Sequence, residues 1–237
     1  MSTIAFNESM QITMRTYLSM NYLTSAALLA RKAHALEAGR TFKDNIPSVE
    51  RDEHFAFVAG AITMSAAAVE AFVNELFAEC RDQGAKNQLG IAPDKAVLIT
   101  RVWIDVPKVE RESVLEKYDL ALRLLDLPAL DRKGEPYKAV DTLLALRNSL
   151  MHYKLVTQDV GKPPAEQTPG NFEKKLQAYF ADNPLTGPGN PYFPDRVMGH
   201  GAAEWSVSTA VTFLDGYCHL LSATPPYEHL RSTFATQ

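Results

Sequence analysis

The stretch VERDEHFAFVAGAITMSAAAVEAFVNELFAECRDQ, residues 49–83, decides the fold. Phe55, Val58, Ala59, Ile62, Ala66, Val69, Val73 and Phe77 recur in steps of three and four, and at ~100° per residue they fall within about 100° of arc. A half-buried strand would alternate every second residue instead. The spacing therefore predicts one long amphipathic helix from about Val49 to Gln83, with Gly84 placed to end it.

The same period recurs on both sides. Upstream, Leu18, Tyr22, Leu29, Ala33 and Leu36 share one face of a helix predicted from about Ser9 to Ala38, and Gly39 stands where it would stop. Downstream, AVLITRVWIDV (96–106) is rich in β-branched residues and reads as a short strand or a buried irregular segment. Helical spacing returns at Val114, Tyr118, Ala121, Leu122 and Leu125, stops at Pro128, and resumes from Tyr137 to about Tyr153 with Val140, Leu143, Leu144 and Met151 aligned. From Thr157 to His200 the chain is rich in Pro, Gly, Asn and Asp, and only FEKKLQAYF within it has helical character. It reads as an irregular insertion lying over the domain. A last helix spans about Ala202 to Ser222, where Val207, Ala210, Val211, Leu214, Cys218 and Leu221 recur; Pro225-Pro226 ends it and the tail beyond reads as irregular. The sum is an all-α chain: a single domain over residues 1–237, an antiparallel bundle of about five amphipathic helices with a long Pro/Gly-rich insertion (157–200) before the last.

Composition narrows the function classes. With 46% hydrophobic and 22% charged residues the chain has enough apolar material for a core, and its 237 residues should bury roughly 70% of the unfolded surface. A formal charge of −4 argues against a broad basic nucleic-acid surface, so any RNA affinity should be modest and steeply salt-dependent. Cys80 and Cys218 form no CxxC pair, which speaks against a disulfide framework or zinc knuckle and for a reducing, cytoplasmic setting. No apolar run of bilayer length and no signal-peptide pattern at the N-terminus is expected, so the reading includes no membrane partner.

Chemistry concentrates in LLALRNSLMHYK, residues 143–154. With Val140 at zero on a helical wheel, Leu144 lies near about 40°, Leu143 near about −60°, Met151 near about 20° and Arg147 near about −20°, amid the apolar stripe. A guanidinium stays protonated, so the fold must give it carboxylates, carbonyls or a bound anion. Asn148 and His152, one turn apart, share a shoulder of that face. Glu70 is the best internal partner for Arg147, at the edge of the stripe in 49–83, with Asn74 one turn further on. The residues allow two accounts. Arg147 is either a core ion pair, with His152 favoured at a helix C-terminus by the macrodipole, or the cation of a ligand site. Glu70 is either its partner or a solvated boundary residue.

With six histidines and twelve arginines the bare Arg-x4-His spacing is unspecific, and its context carries the weight. Arg147 on the apolar face, Asn148 directly after it, His152-Tyr153 at the helix end and a loop following resemble the HEPN superfamily, all-α bundles marked by Arg-x4-6-His. The stretches SVLEKYDLAL and AAAVEAFVNEL are also similar to sequences in that superfamily. The resemblance runs from about Val49 to Tyr153 plus the final helix, and the 157–200 insertion departs from it. It implies a metal-independent endoribonuclease, in a toxin or antiphage setting, with Arg147, His152 and Asn148 catalytic and Glu70, Asn74 and Tyr153 supporting. It also implies a homodimer whose groove lies on the two-fold axis, RNA as substrate, a possible cognate antitoxin or regulatory protein as a separate chain, and no cofactor or metal. The alternative it leaves is a non-catalytic module binding a nucleotide or a protein partner.

The remaining candidates carry less. His34, His54, His200, His219 and His229 are scattered in sequence without ligand spacing. GPGNPYFPDRVMGHG follows no predicted strand and lacks the lysine of a phosphate loop. Cys80 reads as a packed thiol, and Lys174 and Lys175 as solvated surface.

Overall fold

The computed structural model describes residues 15–82, 87–106, 108–154 and 170–237. Among these residues there are seven α-helices and no strand: α1 (Leu18–Glu37), α2 (Ser48–Arg81), α3 (Pro93–Asp105), α4 (Val114–Leu124), α5 (Glu135–Met151), α6 (Asn171–Gln177) and α7 (His200–Leu220). The five expected long helices are α1, α2, α4, α5 and α7. The count of about five is corrected by α3 and by the short α6, which forms within FEKKLQAYF.

The α3 helix replaces the strand or irregular segment expected at 96–106. Its start signals lie just upstream, where Pro93 opens the first turn and Asp94 places a negative charge at the N-terminus. Ala96, Ile99 and Thr100 then meet the core at helical spacing, and Trp103 stacks on Phe77 of α2 with ring centroids 4.7 Å apart. β-Branched residues lower helix propensity by only some tenths of a kcal/mol each, about what one buried side chain outweighs.

At the centre lies α2, which packs against α1, α3, α4, α5 and α7. Its buried residues, from His54 through Val58, Ala61, Ile62, Ala68, Phe72 and Leu76 to Cys80, cover a far wider arc than the expected stripe, while Phe55 at its exposed beginning lies outside the core. The expectation that no apolar run reaches bilayer length is also corrected. By length and composition α2 could cross a membrane, and half of that apolar window is buried inside the protein. The Gln83-Gly84 stop lies outside the described residues.

Against α2, α1 presents Leu23, Ala26, Ala27, Ala30 and Ala33, all fully buried, while Leu18 is exposed and Tyr22 and Leu36 are half-buried. The packed face is thus turned by about 90° from the stripe of large residues. Small side chains allow the close approach, and so does Gly60 of α2, where an added Cβ would come within 2.8 Å of Leu29 Cδ1. The described helix begins at Leu18 after non-helical Arg15–Tyr17, later than expected; residues 9–14 lie outside the described region. Gly39 follows its end with φ +70°, the left-handed conformation that glycine adopts without penalty.

The inner layer is aromatic. Tyr118 of α4 meets Phe213 and Tyr217 of α7 edge-on at 4.9 and 4.6 Å, and its hydroxyl donates to Val69 O at 2.6 Å. The tail is not irregular as expected. Glu228–Phe234 winds in 3-10 turns, with buried Tyr227 donating to Asp215 Oδ1 at 2.8 Å and Arg231 forking onto the same carboxylate at 2.8 and 2.9 Å. Residues 155–169, which include the first part of the insertion, lie outside the described residues. Its later part folds back, Asn183 bonding the backbone of Leu185 and Met198, and Gly199 lying so near Asn183 that a Cβ would meet Asn183 Cα at 2.7 Å.

Two outcomes follow. Ala30→Leu should wedge α1 from α2 and lower stability by about 1–3 kcal/mol in urea unfolding. Burial pushes the Cys80 thiol up to about 11 and Cys218 up to about 12. Both should therefore resist iodoacetamide at about pH 8 in the folded protein and react once it is unfolded, as read by mass spectrometry.

Candidate functional site

Burial on α5 falls on Val140, Thr142, Leu143 and Leu146, so its core face is centred near Leu143. Arg147 occupies the shoulder, about 40° from Leu143, with Met151 and Leu144 further round at about 80° and about 100°. The expectation of a guanidinium amid the apolar stripe is corrected: the Arg147 side chain is 22% exposed. A wheel that counts Leu144 and Met151 as core misplaces it, because Leu144 is half-buried and Met151 exposed.

From this shoulder Arg147 Nη2 donates to Glu70 Oε2 of α2 at 3.1 Å, the pairing expected from the two helices. Its Nε is buried without a hydrogen-bond partner among the described residues. The Glu70 side chain is 37% exposed, so the pair sits at the water boundary. Arg147, Asn148 and Glu70 line one groove of about 380 Å³, which Glu112, Tyr137 and Asp141 also border. Three carboxylates thus share the groove with one guanidinium. The phenol of Tyr137 is raised by burial, with nearby Arg132 acting against that shift.

The other site residues part company. Asn74 does not line the groove, and its Oδ1 accepts from Lys117 Nζ of α4 at 3.0 Å. His152 caps the C-terminus of α5, its backbone N–H donating to Asn148 O at 2.9 Å, and it is exposed. Five residues of helix separate Arg147 from His152 by about 7.5 Å along the axis and about 140° around it. Within one chain the imidazole and the guanidinium therefore face different ways. Tyr153 is exposed beside it, its ring 6.1 Å from Phe193 of the insertion.

Lys117 was passed over as chemistry by sequence reasoning. It is only 3% exposed and lies 5.9 Å from the Trp103 ring. Burial lowers the pKa of its amine, while the charges of Glu70 and Glu110 act in the opposite sense. Its signal was its place between Val114 and Ala121 on the apolar face of α4. Two residues on, and round the other side of α4, buried Asp119 accepts from Arg132 at 2.8 Å and from the Leu130 backbone at 2.8 Å. The hydrogen bonds from Arg132 to Asp119 and Glu116 raise that guanidinium's pKa.

A second polar cluster was also missed. The histidines scattered in sequence are partly gathered in space: Glu37 Oε1 accepts from His54 Nε2 at 2.7 Å and from the His200 backbone N–H at 2.6 Å, and the His34 and His200 rings lie 4.7 Å apart. Nothing in the spacing of residues 34, 54 and 200 could have announced it. Among the described residues no group of three His, Cys, Asp or Glu is arranged to hold a metal ion. Lys174 and Lys175 are exposed on α6.

No family model, no curated protein and no solved structure matches the chain.

The Arg147–Glu70 pair is partly solvated, which limits its strength. A double-mutant cycle with Arg147→Ala and Glu70→Ala in urea should give a coupling of about 0.2–1 kcal/mol, with every variant folded. A coupling above about 3 kcal/mol would instead mark a core ion pair.

Proposed function

We propose that this chain is a HEPN-type metal-independent endoribonuclease, with Arg147, His152 and Asn148 as its catalytic residues. The observation that carries the reading is the opening of Arg147 onto a groove: Glu70 engages only Nη2, so the Nη1 side can meet a phosphate oxygen. The exposed imidazole of His152 at the end of the same helix adds a side chain of the kind that takes and gives protons.

The chemistry asks little more. The 2′-oxygen of RNA attacks the adjacent phosphorus, the 5′-oxygen leaves, and a 2′,3′-cyclic phosphate remains. One proton must be taken from the 2′-OH and one given to the departing oxygen, which imidazoles can do. Arg147 stabilises the charge on the non-bridging oxygens, and Asn148 orients the phosphate. Glu70 holds the guanidinium in its rotamer as a positioning residue, and Asn74 acts one contact further out through Lys117. Tyr153 flanks the imidazole.

Because Arg147 and His152 diverge within one chain, the reading requires a homodimer in which one protomer's His152 approaches its partner's Arg147 groove. A cytoplasmic toxin or antiphage setting, with a separate antitoxin or regulatory chain, comes with the resemblance and belongs to the same proposal.

One observation favours a second reading. Glu70, Glu112 and Asp141 give the groove a negative balance that repels phosphate, as suits a HEPN-like module that binds a partner without turnover. Such a groove fits a basic protein segment better than a nucleotide.

Cleavage of single-stranded RNA in excess chelator separates the two. The nuclease reading expects cyclic-phosphate ends, with Arg147→Ala and His152→Ala each lowering the rate by about 100-fold or more while circular dichroism stays unchanged. Absence of cleavage by the folded dimer, or full activity in both variants, would exclude it.

A further inference from the structure

A separate cavity of about 390 Å³, within the size range of small-molecule pockets, lies between the beginning of α2 and residues 183–198. Two aromatic rings line it, Phe42 and Phe55, and each keeps about half of its surface exposed, at 48% and 49%. Met198 adds apolar wall. Arg51, one turn before His54, reaches the same space and has no carboxylate within ion-pair distance among the described residues. Its neighbour in sequence, Glu50, is taken by Arg40.

The polar wall is fixed in place. His54 lines the cavity while its Nε2 is held by Glu37, and the same carboxylate oxygen binds the first N–H of α7. That one contact locks the end of α1, an imidazole of α2 and the start of α7, so the cavity is formed before any ligand arrives. Across from this wall, Asp195 contributes a carboxylate that Asn190 Nδ2 holds at 3.0 Å. A multiply charged anion would be repelled there, whereas a singly charged one can keep its charge at Arg51.

We infer that this cavity is a second ligand site, built for a small aromatic monoanion whose ring covers Phe42 and Phe55 and whose charged group meets Arg51. The inference is independent of the Arg147 groove, since no residue lines both.

Benzoate is the probe, titrated into the full chain by calorimetry and followed through the His54 ring signals in NMR. Benzyl alcohol removes the charge, acetate removes the ring and inorganic phosphate replaces it with a multiply charged group. Benzoate should bind about ten-fold more tightly than each of the three and move the His54 signals. Arg51→Ala should bring it down to the affinity of benzyl alcohol, and Phe55→Ala should weaken it about three-fold or more. Both side chains are exposed, and circular dichroism checks that the fold persists. Benzoate binding no tighter than acetate or phosphate, or unaffected by Arg51→Ala, would overturn the assignment.

Discussion

The burial of α2 on about half of its circumference is the constraint on which the rest of this protein depends. Five helices lean on it, and the closest, α1, comes in on alanines and across Gly60. A core packed this way leaves little freedom for side chains to shift, so residues projecting from α2 have fixed positions. Glu70, Asn74 and His54 all do so. The groove at Glu70 and the cavity at His54 are held about 24 Å apart on one rod, sixteen residues at the rise of an α-helix.

Polar groups at the two places are treated differently. At the groove, Arg147 and Glu70 stay partly in water, so their mutual attraction is modest and either can exchange its partner for a ligand. Behind them, Lys117 and Asp119 are buried and each is held by neutral or charged partners, Asn74 for the amine, and Arg132 with a backbone N–H for the carboxylate. Such groups are costly to strip of their partners and so act as scaffold. At the other end, Glu37 joins three helices through one oxygen, and its value is in position: it fixes the imidazole and satisfies an orphan N–H at the start of α7.

The misplaced faces of α1 and α5 share one cause. On α1 and α5 the large apolar residues marked a face, and in both the packed face lay about 80–90° around from it. In α1 the contact is made by alanines, which score weakly as hydrophobic yet set how near two helices come. In α5, Leu146 and Thr142 are buried and Met151 is not. A wheel weights each residue by its own hydrophobicity and knows nothing of the neighbour it will meet. Arg147 was moved by that rotation from the stripe to its shoulder, and the groove exists for the same reason. Its partner Glu70 was one of two readings, because a carboxylate at the edge of a stripe can be solvated as readily as paired.

The amino-acid sequence by itself determined the all-helical class and the five long helices, because a period of 3.6 repeated over many turns leaves no other regular structure, while it left Glu70 either paired with Arg147 or solvated. The helix stop at Gly39 was equally local, written in a left-handed backbone conformation that few residues accept, whereas α4 ends at Leu124, before Pro128. Tertiary structure settled that 93–105 is a helix, since packing on Phe77 and its neighbours adds to the local start at Pro93 and Asp94 and outweighs the β-branched preference. It alone gathered Glu37, His54 and His200 from three distant segments. Contacts between residues far apart in the chain have no period to betray them; they arise only when the helices have been pressed together.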